Sequence, residues 1–401
     1  YKNLILNKLK EKFDISNNKA LTQDKIISIL IDIMNSEHNM EIVNRIKELY
    51  KTASSTKIRT LVEKHFIPSD EEKENNAEIT TPMETVDEMI NYIPDCVWSN
   101  SISDKIYASF PEKMAKFPTF FDPCCGKGTF PLAIFSKLFN NLGEKISDVN
   151  DRCRFIIEKC LYFADIEENN VIITKMLLNY YAEEYCKCKQ TYKFNYFVGN
   201  SLNLNIKETW GVNGFVVNIG NPPYNLRRST NKNGFKKSIY QNFILTFIDK
   251  SIYNIFITPS RWFCGGRGLD RFRSKMLKRR DIKLIRHFDK KIFKNVEIKG
   301  GVSYYLKDSS YNGQCNFNNV NITLNRYDIL FPDPELYSLI DKIANNDSIT
   351  SKYCPKGVYG VPLTDTRVSD IKVDENFINC YVSKKSAINK KQLYKYINYK
   401  E

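Results

Sequence analysis

The sequence predicts an α/β protein built on a buried sheet, and three observations carry that prediction. Between residues 119 and 306 short apolar runs recur, each closed by Gly, Pro or Asn and followed by an amphipathic segment. This is how strand-loop-helix units of a parallel sheet read. The runs are short and mostly apolar, as strands of a buried sheet are. The chain is also long enough, at 401 residues and 42% hydrophobic, to bury a sheet of that size together with smaller attachments.

The expected strands are 119-TFFD-122, 160-CLYFAD-165, 194-FNYFVG-199, 214-GFVVNIG-220, 253-YNIFITP-259, 282-IKLIRHF-288 and 302-VSYYL-306. Residues 1 to about 66 carry apolar positions at helical spacing, such as Leu4, Ile5 and Leu9 and then Ile26, Ile27, Leu30 and Ile31. The acidic stretch 68-PSDEEKENNAEI-79 reads as a linker. After about residue 325 the helical segment 335-ELYSLIDKIA-344 leads into a Lys-rich tail. The expected division is therefore a helical region over 1–75, a catalytic domain over 76–325 and the start of a further domain over 326–401.

Composition narrows the function classes. No apolar stretch approaches the roughly 20 residues that span a bilayer, and the first thirty residues mix charges, so a soluble, intracellular protein with no membrane partner is expected. Eleven cysteines scattered over a long chain read as reduced thiols rather than a disulfide framework. Three histidines and no second cysteine pair at zinc-ribbon spacing predict no metal site. The net charge of +14 suits a polyanionic partner, although the Asn, Lys and Ile-rich composition throughout accounts for part of it.

Four turns at strand ends carry the chemistry. The first strand runs into 122-DPCCGKGTF-130, where Gly126 and Gly128 let backbone approach a ligand and the Asp122 carboxylate can anchor a polar group. No Gly-Lys-Ser/Thr follows, so this is not a phosphate-binding P-loop. Asp165 ends the second strand, placed to accept both ribose hydroxyls of a nucleoside-type cofactor while Ile166 packs on its base. Asn200, in 199-GNSL-202, offers a carbonyl acceptor and an amide donor, suited to the cofactor's adenine. The sharpest signal is 218-NIGNPPYN-225. Pro222 and Pro223 fix an extended turn, so the Asn221 side-chain carbonyl and the Pro222 backbone carbonyl can converge on one amino group, with the flat face of Tyr224 beside it. An amino nitrogen conjugated to a ring is a poor nucleophile. Two acceptors that draw its hydrogens out of plane localise its lone pair.

With these residues in hand, the chain resembles the amino-methyltransferases, and more closely the adenine-N6 DNA methyltransferases of the gamma arrangement found in Type I and Type IIG restriction-modification systems. The resemblance covers about residues 76 to 306. It implies a Rossmann-like S-adenosylmethionine-dependent methyltransferase sheet, S-adenosylmethionine as cofactor and double-stranded DNA as partner, and it leaves room for a separate specificity or nuclease subunit. It also implies that 78-EITTPMETVDEMI-90, with Thr80, Thr81 and Pro82, covers the methionine moiety of the cofactor. Asp122, Pro123, Gly126, Gly128 and Phe130 match the family's cofactor loop, Asp165 its ribose acid, Ile166 its adenine-packing residue, and Asn221, Pro222, Pro223 and Tyr224 its catalytic motif. The segment 288-FDKKIFKNVEIKGGVSYYL-306 resembles the element that holds the extruded base, with Phe293 as the aromatic. Asn200 departs from the family's usual Asp, keeping an acceptor and losing a charge. The segment 357-GVYGVPLTDT-366 resembles the start of a recognition domain, which in this family follows the catalytic one.

A duplex hides the adenine amino group, so base extrusion into a pocket between Tyr224 and Phe293 is expected. Two basic clusters are available for the DNA backbone: 226-LRRSTNKNGFKK-237, with Arg227, Arg228, Lys236 and Lys237, and 267-RGLDRFRSKMLKRR-280, which reads equally as a solvated helix face. The competing readings are a protein glutamine methyltransferase, an RNA adenine methyltransferase, and a non-catalytic DNA-binding or specificity subunit. The intact Asn221-Pro222-Pro223-Tyr224 argues against the last. No Pro-Asp with a following Glu-x-Lys stands out in the helical N-terminal region, so cleavage by this chain is not expected.

Overall fold

The structure is a computed structural model of the 401-residue chain. It describes residues 80–343, apart from 113, 189, 226–237, 266–267, 290–291 and 294–297, and beyond them the strands 368–369, 377–381 and 394–398. The expected helical region over 1–75, the linker, the first basic cluster and 357–366 lie outside the described residues.

In chain order the elements are α1 (Met83–Asn91), α2 (Asp95–Trp98), α3 (Asp104–Ala108), β1 (Phe120–Asp122), α4 (Thr129–Asn141), α5 (Val149–Phe155), β2 (Leu161–Asp165), α6 (Glu168–Cys186), β3 (Asn195–Val198), α7 (Ile206–Trp210), β4 (Phe215–Gly220), α8 (Tyr240–Phe247), β5 (Ser251–Pro259), α9 (Asp270–Leu277), β6 (Ile282–Phe288), β7 (Val302–Asp308), β8 (Cys315–Phe317), β9 (Val320–Ile322), α10 (Leu336–Ile343), β10 (Val368–Ser369), β11 (Phe377–Tyr381) and β12 (Tyr394–Asn398). The main sheet runs β3-β2-β1-β4-β5-β7-β6-β8-β9, and β10-β12-β11 form a separate small sheet. Strand order reverses after β1, so the C-terminal ends of β1 and β4 flank a crevice, the topological switch point where open α/β sheets bind ligands.

All seven expected strands form, but the sheet is not wholly parallel. β7 inserts antiparallel between β5 and β6. The reason lies in the connection: no helix occurs among the described residues between β6 and β7, and without a crossover the returning strand pairs antiparallel. The hairpin β8–β9 extends the sheet further. Its tip, Asn318-Asn319, adopts positive φ at both residues, the conformation of a tight two-residue hairpin turn.

Burial follows the pattern of apolar runs. Every residue of β1, β2, β4 and β5 is buried. The polar exception inside β4, Asn218, donates from its side-chain amide to the Phe247 carbonyl at 2.8 Å, pinning the C-terminal end of α8 under the sheet. The 19-residue α6 buries Val171, Thr174, Leu177, Leu178, Tyr181 and Ala182, one stripe at helical spacing, and ends on Lys187 in the left-handed region. The chain divides into two compact units at Pro334/Glu335, nine residues beyond the expected boundary at 325, because β8–β9 and the turn after them stay with the main sheet.

Candidate active site

The loop after β1 is shaped by its two glycines. Gly126 and Gly128 both take positive φ, 50° and 85°, and Gly128 caps α4. A β-carbon at Gly128 would meet Thr174 Oγ1 at 3.0 Å, so the loop and α6 approach as closely as they do because no side chain intervenes. The Thr174 hydroxyl in turn donates to the Gly126 carbonyl at 3.2 Å.

Asp165 closes this loop from the neighbouring strand. Its Oδ2 accepts from Gly126 N at 2.9 Å, and its Oδ1 accepts from Glu167 N at 2.9 Å and from Asn170 Nδ2 at 3.2 Å. A carboxylate has about four acceptor positions, so three are already engaged inside the protein. One acceptor position of Asp165 is therefore left open. Burial raises its pKa, opposed by the three donors.

Asp122 stands behind the loop rather than in the cavity. Its Oδ1 accepts from Cys124 N at 3.0 Å, while Oδ2 is buried with no hydrogen-bond partner among the described residues. Burial pushes its carboxyl well above the ordinary carboxylate range. The same carboxylate fills the space a side chain at residue 220 would need: a β-carbon on Gly220 would lie 2.5 Å from Asp122 Oδ1. β4, which delivers the Asn-Pro-Pro-Tyr turn, and the end of β1 are thus fitted to one another through a glycine.

Around these residues lies a cavity of roughly 360 Å³, a size suited to a small-molecule ligand. Its walls bring together Thr80 and Thr81, the loop residues Pro123, Gly126 and Phe130, the strand tips Asp165, Ile166 and Asn200, and the whole turn Asn221, Pro222, Pro223 and Tyr224. Ile166, at the mouth, is 49% exposed, an uncovered apolar surface beside a polar cleft. Asn200 caps the following turn by accepting from Leu202 N at 3.1 Å. Of the sequence-predicted cofactor residues, Asp122, Pro82 and Gly128 do not line the cavity: Pro82 caps the start of α1 and Gly128 the start of α4. Sequence reading missed Lys127, Glu167, Asn170, Ile239 and Phe243, which do line it. Lys127 and Glu167 sit inside the motifs already singled out, so adjacency was the available signal; Ile239 and Phe243 arrive from α8 and carried none.

Tyr224 is buried, its hydroxyl has no hydrogen-bond partner among the described residues, and burial raises its pKa. Its ring meets Phe293 edge-to-face at 6.3 Å and 60°, and Tyr240 at 6.5 Å and 79°. The two aromatics expected to hold a base do meet, but as a closed pair with no room for a third ring between them. Arg227, Arg228, Lys236 and Lys237 lie outside the described residues. Among the described residues no cluster of potential metal ligands occurs, and no helix is long and apolar enough to cross a membrane.

The sheet order, with β7 antiparallel beside β5 and a glycine loop after β1, is that of the Rossmann-like methyltransferase fold. Residues 159–293 match the model of the Eco57I restriction-modification methylase family, a segment running from the start of β2 through the Asn-Pro-Pro-Tyr turn to Phe293. A Mycoplasma pneumoniae protein described as an uncharacterized adenine-specific methylase is 32% identical over 165 residues, which is 40% of this chain and 37% of its own length. Among solved structures, a nuclease-deletion mutant of the Type ISP restriction-modification enzyme LlaGI, in complex with a DNA substrate mimic, is 16% identical with a TM-score of 0.48, over 86% of this chain and 36% of that one. The methyltransferase subunit of a type I restriction-modification system from Streptococcus thermophilus is 12% identical with a TM-score of 0.38, over 68% and 54% respectively. The resemblance read from the sequence is borne out: the segment from β2 to Phe293 is similar to restriction-modification methylases, and the matching relative is described as an adenine-specific methylase. It spans just over a third of the length of the curated relative it matches.

Proposed function

We propose that this protein transfers a methyl group from S-adenosylmethionine to the exocyclic N6 of adenine in DNA. The observation that carries the reading is the meeting, in one cavity, of the glycine loop, the acidic tip of β2 and the Asn221-Pro222-Pro223-Tyr224 turn. The donor set fits the cofactor. Exposed Ile166 offers an apolar face for a purine, the open acceptor of Asp165 suits a ribose hydroxyl, and Thr80 and Thr81 close the cavity where α1 begins. When bound, S-adenosylmethionine supplies an electrophilic methyl group on a sulfonium.

The chain's own residues prepare the acceptor. The Asn221 side-chain carbonyl and the Pro222 carbonyl take the two hydrogens of the adenine amino group, which localises the nitrogen lone pair toward the cofactor side of the cavity. No side-chain base has to accept a proton before transfer: the nitrogen lone pair forms the new N–C bond as the sulfonium's S–CH3 bond breaks to leave a neutral thioether, and the methylated nitrogen then loses one proton to water. Tyr224 supplies the stacking face, and because Phe293 lies edge-on against it, Phe293 has to swing aside when the extruded base arrives. Methylation then serves a restriction-modification or orphan methylation system, with double-stranded DNA as partner and a separate specificity or nuclease subunit as a further one.

The test is transfer of a labelled methyl group to mixed-sequence duplex DNA followed by nucleoside analysis. Labelled N6-methyladenosine-type product is expected. Bound cofactor with label only in protein glutamine or in RNA would replace the substrate in this reading.

A further inference from the structure

The second basic cluster does not behave as one patch. Arg279 is spent on ion pairs, with Asp249 at 2.6 Å and Asp281 at 2.6 Å, where β5 and β6 begin. Arg280 donates to Asn312 Oδ1, and Arg273 is paired with Asp270 and bonded to the Trp262 and Gly265 carbonyls. These cations hold the fold together.

Two others are placed differently. Arg261 follows β5, and because β5 runs parallel to β4, it emerges on the same edge of the sheet as the Asn221–Tyr224 turn. Arg271 lies in the first turn of α9, beside Phe272. Both side chains are exposed, and neither guanidinium has an ion pair or hydrogen bond among the described residues. A continuous run of rings connects them to the catalytic turn: Tyr224 to Tyr240 at 6.5 Å, Tyr240 to Phe272 at 6.2 Å, and Phe272 to Trp262 at 5.5 Å. Arg261 and Arg271 are the chain neighbours of the last two rings.

An exposed cation left without a carboxylate, on a rigid support next to a pocket for a flipped base, matches what a phosphate backbone requires. A duplex whose base has been extruded presents phosphates on either side of the gap, and each one neutralised releases a condensed counterion. We propose that Arg261 and Arg271 form the seat for the DNA backbone beside the target adenine, carried by the aromatic run that ends at Tyr224. The proposal rests on the reading of the protein as a DNA methyltransferase.

Lys278 supplies the control. It belongs to the same cluster, is equally exposed and has no partner among the described residues, but it adjoins Arg279 near the opposite edge. The experiment is equilibrium binding of a fluorescent mixed-sequence duplex to the full chain across a salt series, for wild type, Arg261→Gln, Arg271→Gln, the double variant and Lys278→Gln, with calorimetric S-adenosylmethionine binding as the check on folding. Each arginine variant should flatten the slope of log K against log salt by about 0.9, and the double by about twice that, with cofactor affinity unchanged. Lys278→Gln should leave the slope at its wild-type value. Arginine variants with wild-type slopes, or a Lys278 variant that loses as much, overturn the seat while the DNA reading stands. A wild-type chain that binds cofactor but no duplex overturns the DNA reading and the seat with it.

Discussion

In the proposed function a neutral carbonyl oxygen at Asn221 takes the place of a general base, so its removal should separate chemistry from binding. Asn221→Ala is expected to abolish methyl transfer while S-adenosylmethionine affinity by calorimetry stays within a few-fold of wild type. Asp122 allows a test of a different kind. Its folded-state pKa is raised by burial above the ordinary value near 3.8, so its contribution to stability is whole below that pH and is lost progressively as pH climbs to the folded value. Asp122→Asn keeps an acceptor for Cys124 N and carries no charge. The variant should gain on wild type in urea midpoint as pH rises from about 4 to 8, and the gap should close again on acidification. A gap independent of pH would mean that the carboxyl is not held neutral. At Gly220 the prediction is steric: Gly220→Ala forces a methyl into Asp122 and should cost roughly 1–3 kcal/mol in chemical denaturation together with most of the activity.

Among the elements, α1 is the one whose placement matters beyond its own packing. It starts two residues after Thr81, and it is fastened to the far part of the sheet by the Tyr304 hydroxyl donating to Glu88 at 2.6 Å and by Arg286 donating to the Tyr92 hydroxyl at 3.0 Å. Tyr304→Phe should cost about 1 kcal/mol and raise KM for the cofactor several-fold with kcat nearly unchanged, because the fastening positions α1 and the adjoining Thr80 and Thr81 and touches no reacting atom. Equal losses in kcat would indicate a wider disturbance. The strands were legible because most are largely apolar runs closed by Gly, Pro or Asp, and the Asn-Pro-Pro-Tyr turn because two prolines after a buried strand leave few alternatives. The hairpin β8–β9 was not: three residues per strand, CNF and VNI, are too short for any periodicity, and their pairing is fixed by tertiary contacts of Arg286 with Asn316 and Asn319. The antiparallel entry of β7 was hidden for the same reason, since strand direction depends on what connects the strands. Phe243 escaped notice because a core-facing aromatic on an amphipathic helix looks the same in sequence whether it lines a cavity or fills one.

Over the whole molecule, the sheet has two chemically distinct edges. Where the parallel strands end lie the cavity, the catalytic turn and Arg261; where β5 and β6 begin, Arg279 is locked between Asp249 and Asp281. The unit ending at Pro334 contains both edges and the full set of cavity residues, so a chain stopped there should melt cooperatively and bind S-adenosylmethionine with wild-type affinity. Loss of cofactor binding in that truncation would show that residues 335–401 take part in the site. The fit of Gly220 against Asp122 also bears on how such a molecule can change over generations. The two positions are far apart in the chain but share one small volume, so an alanine at 220 is tolerable only in a lineage that has already given up the bulk of the aspartate. Their substitutions are therefore epistatic and ordered, and related sequences should carry a side chain at 220 only where the aspartate at 122 has already been replaced by something smaller.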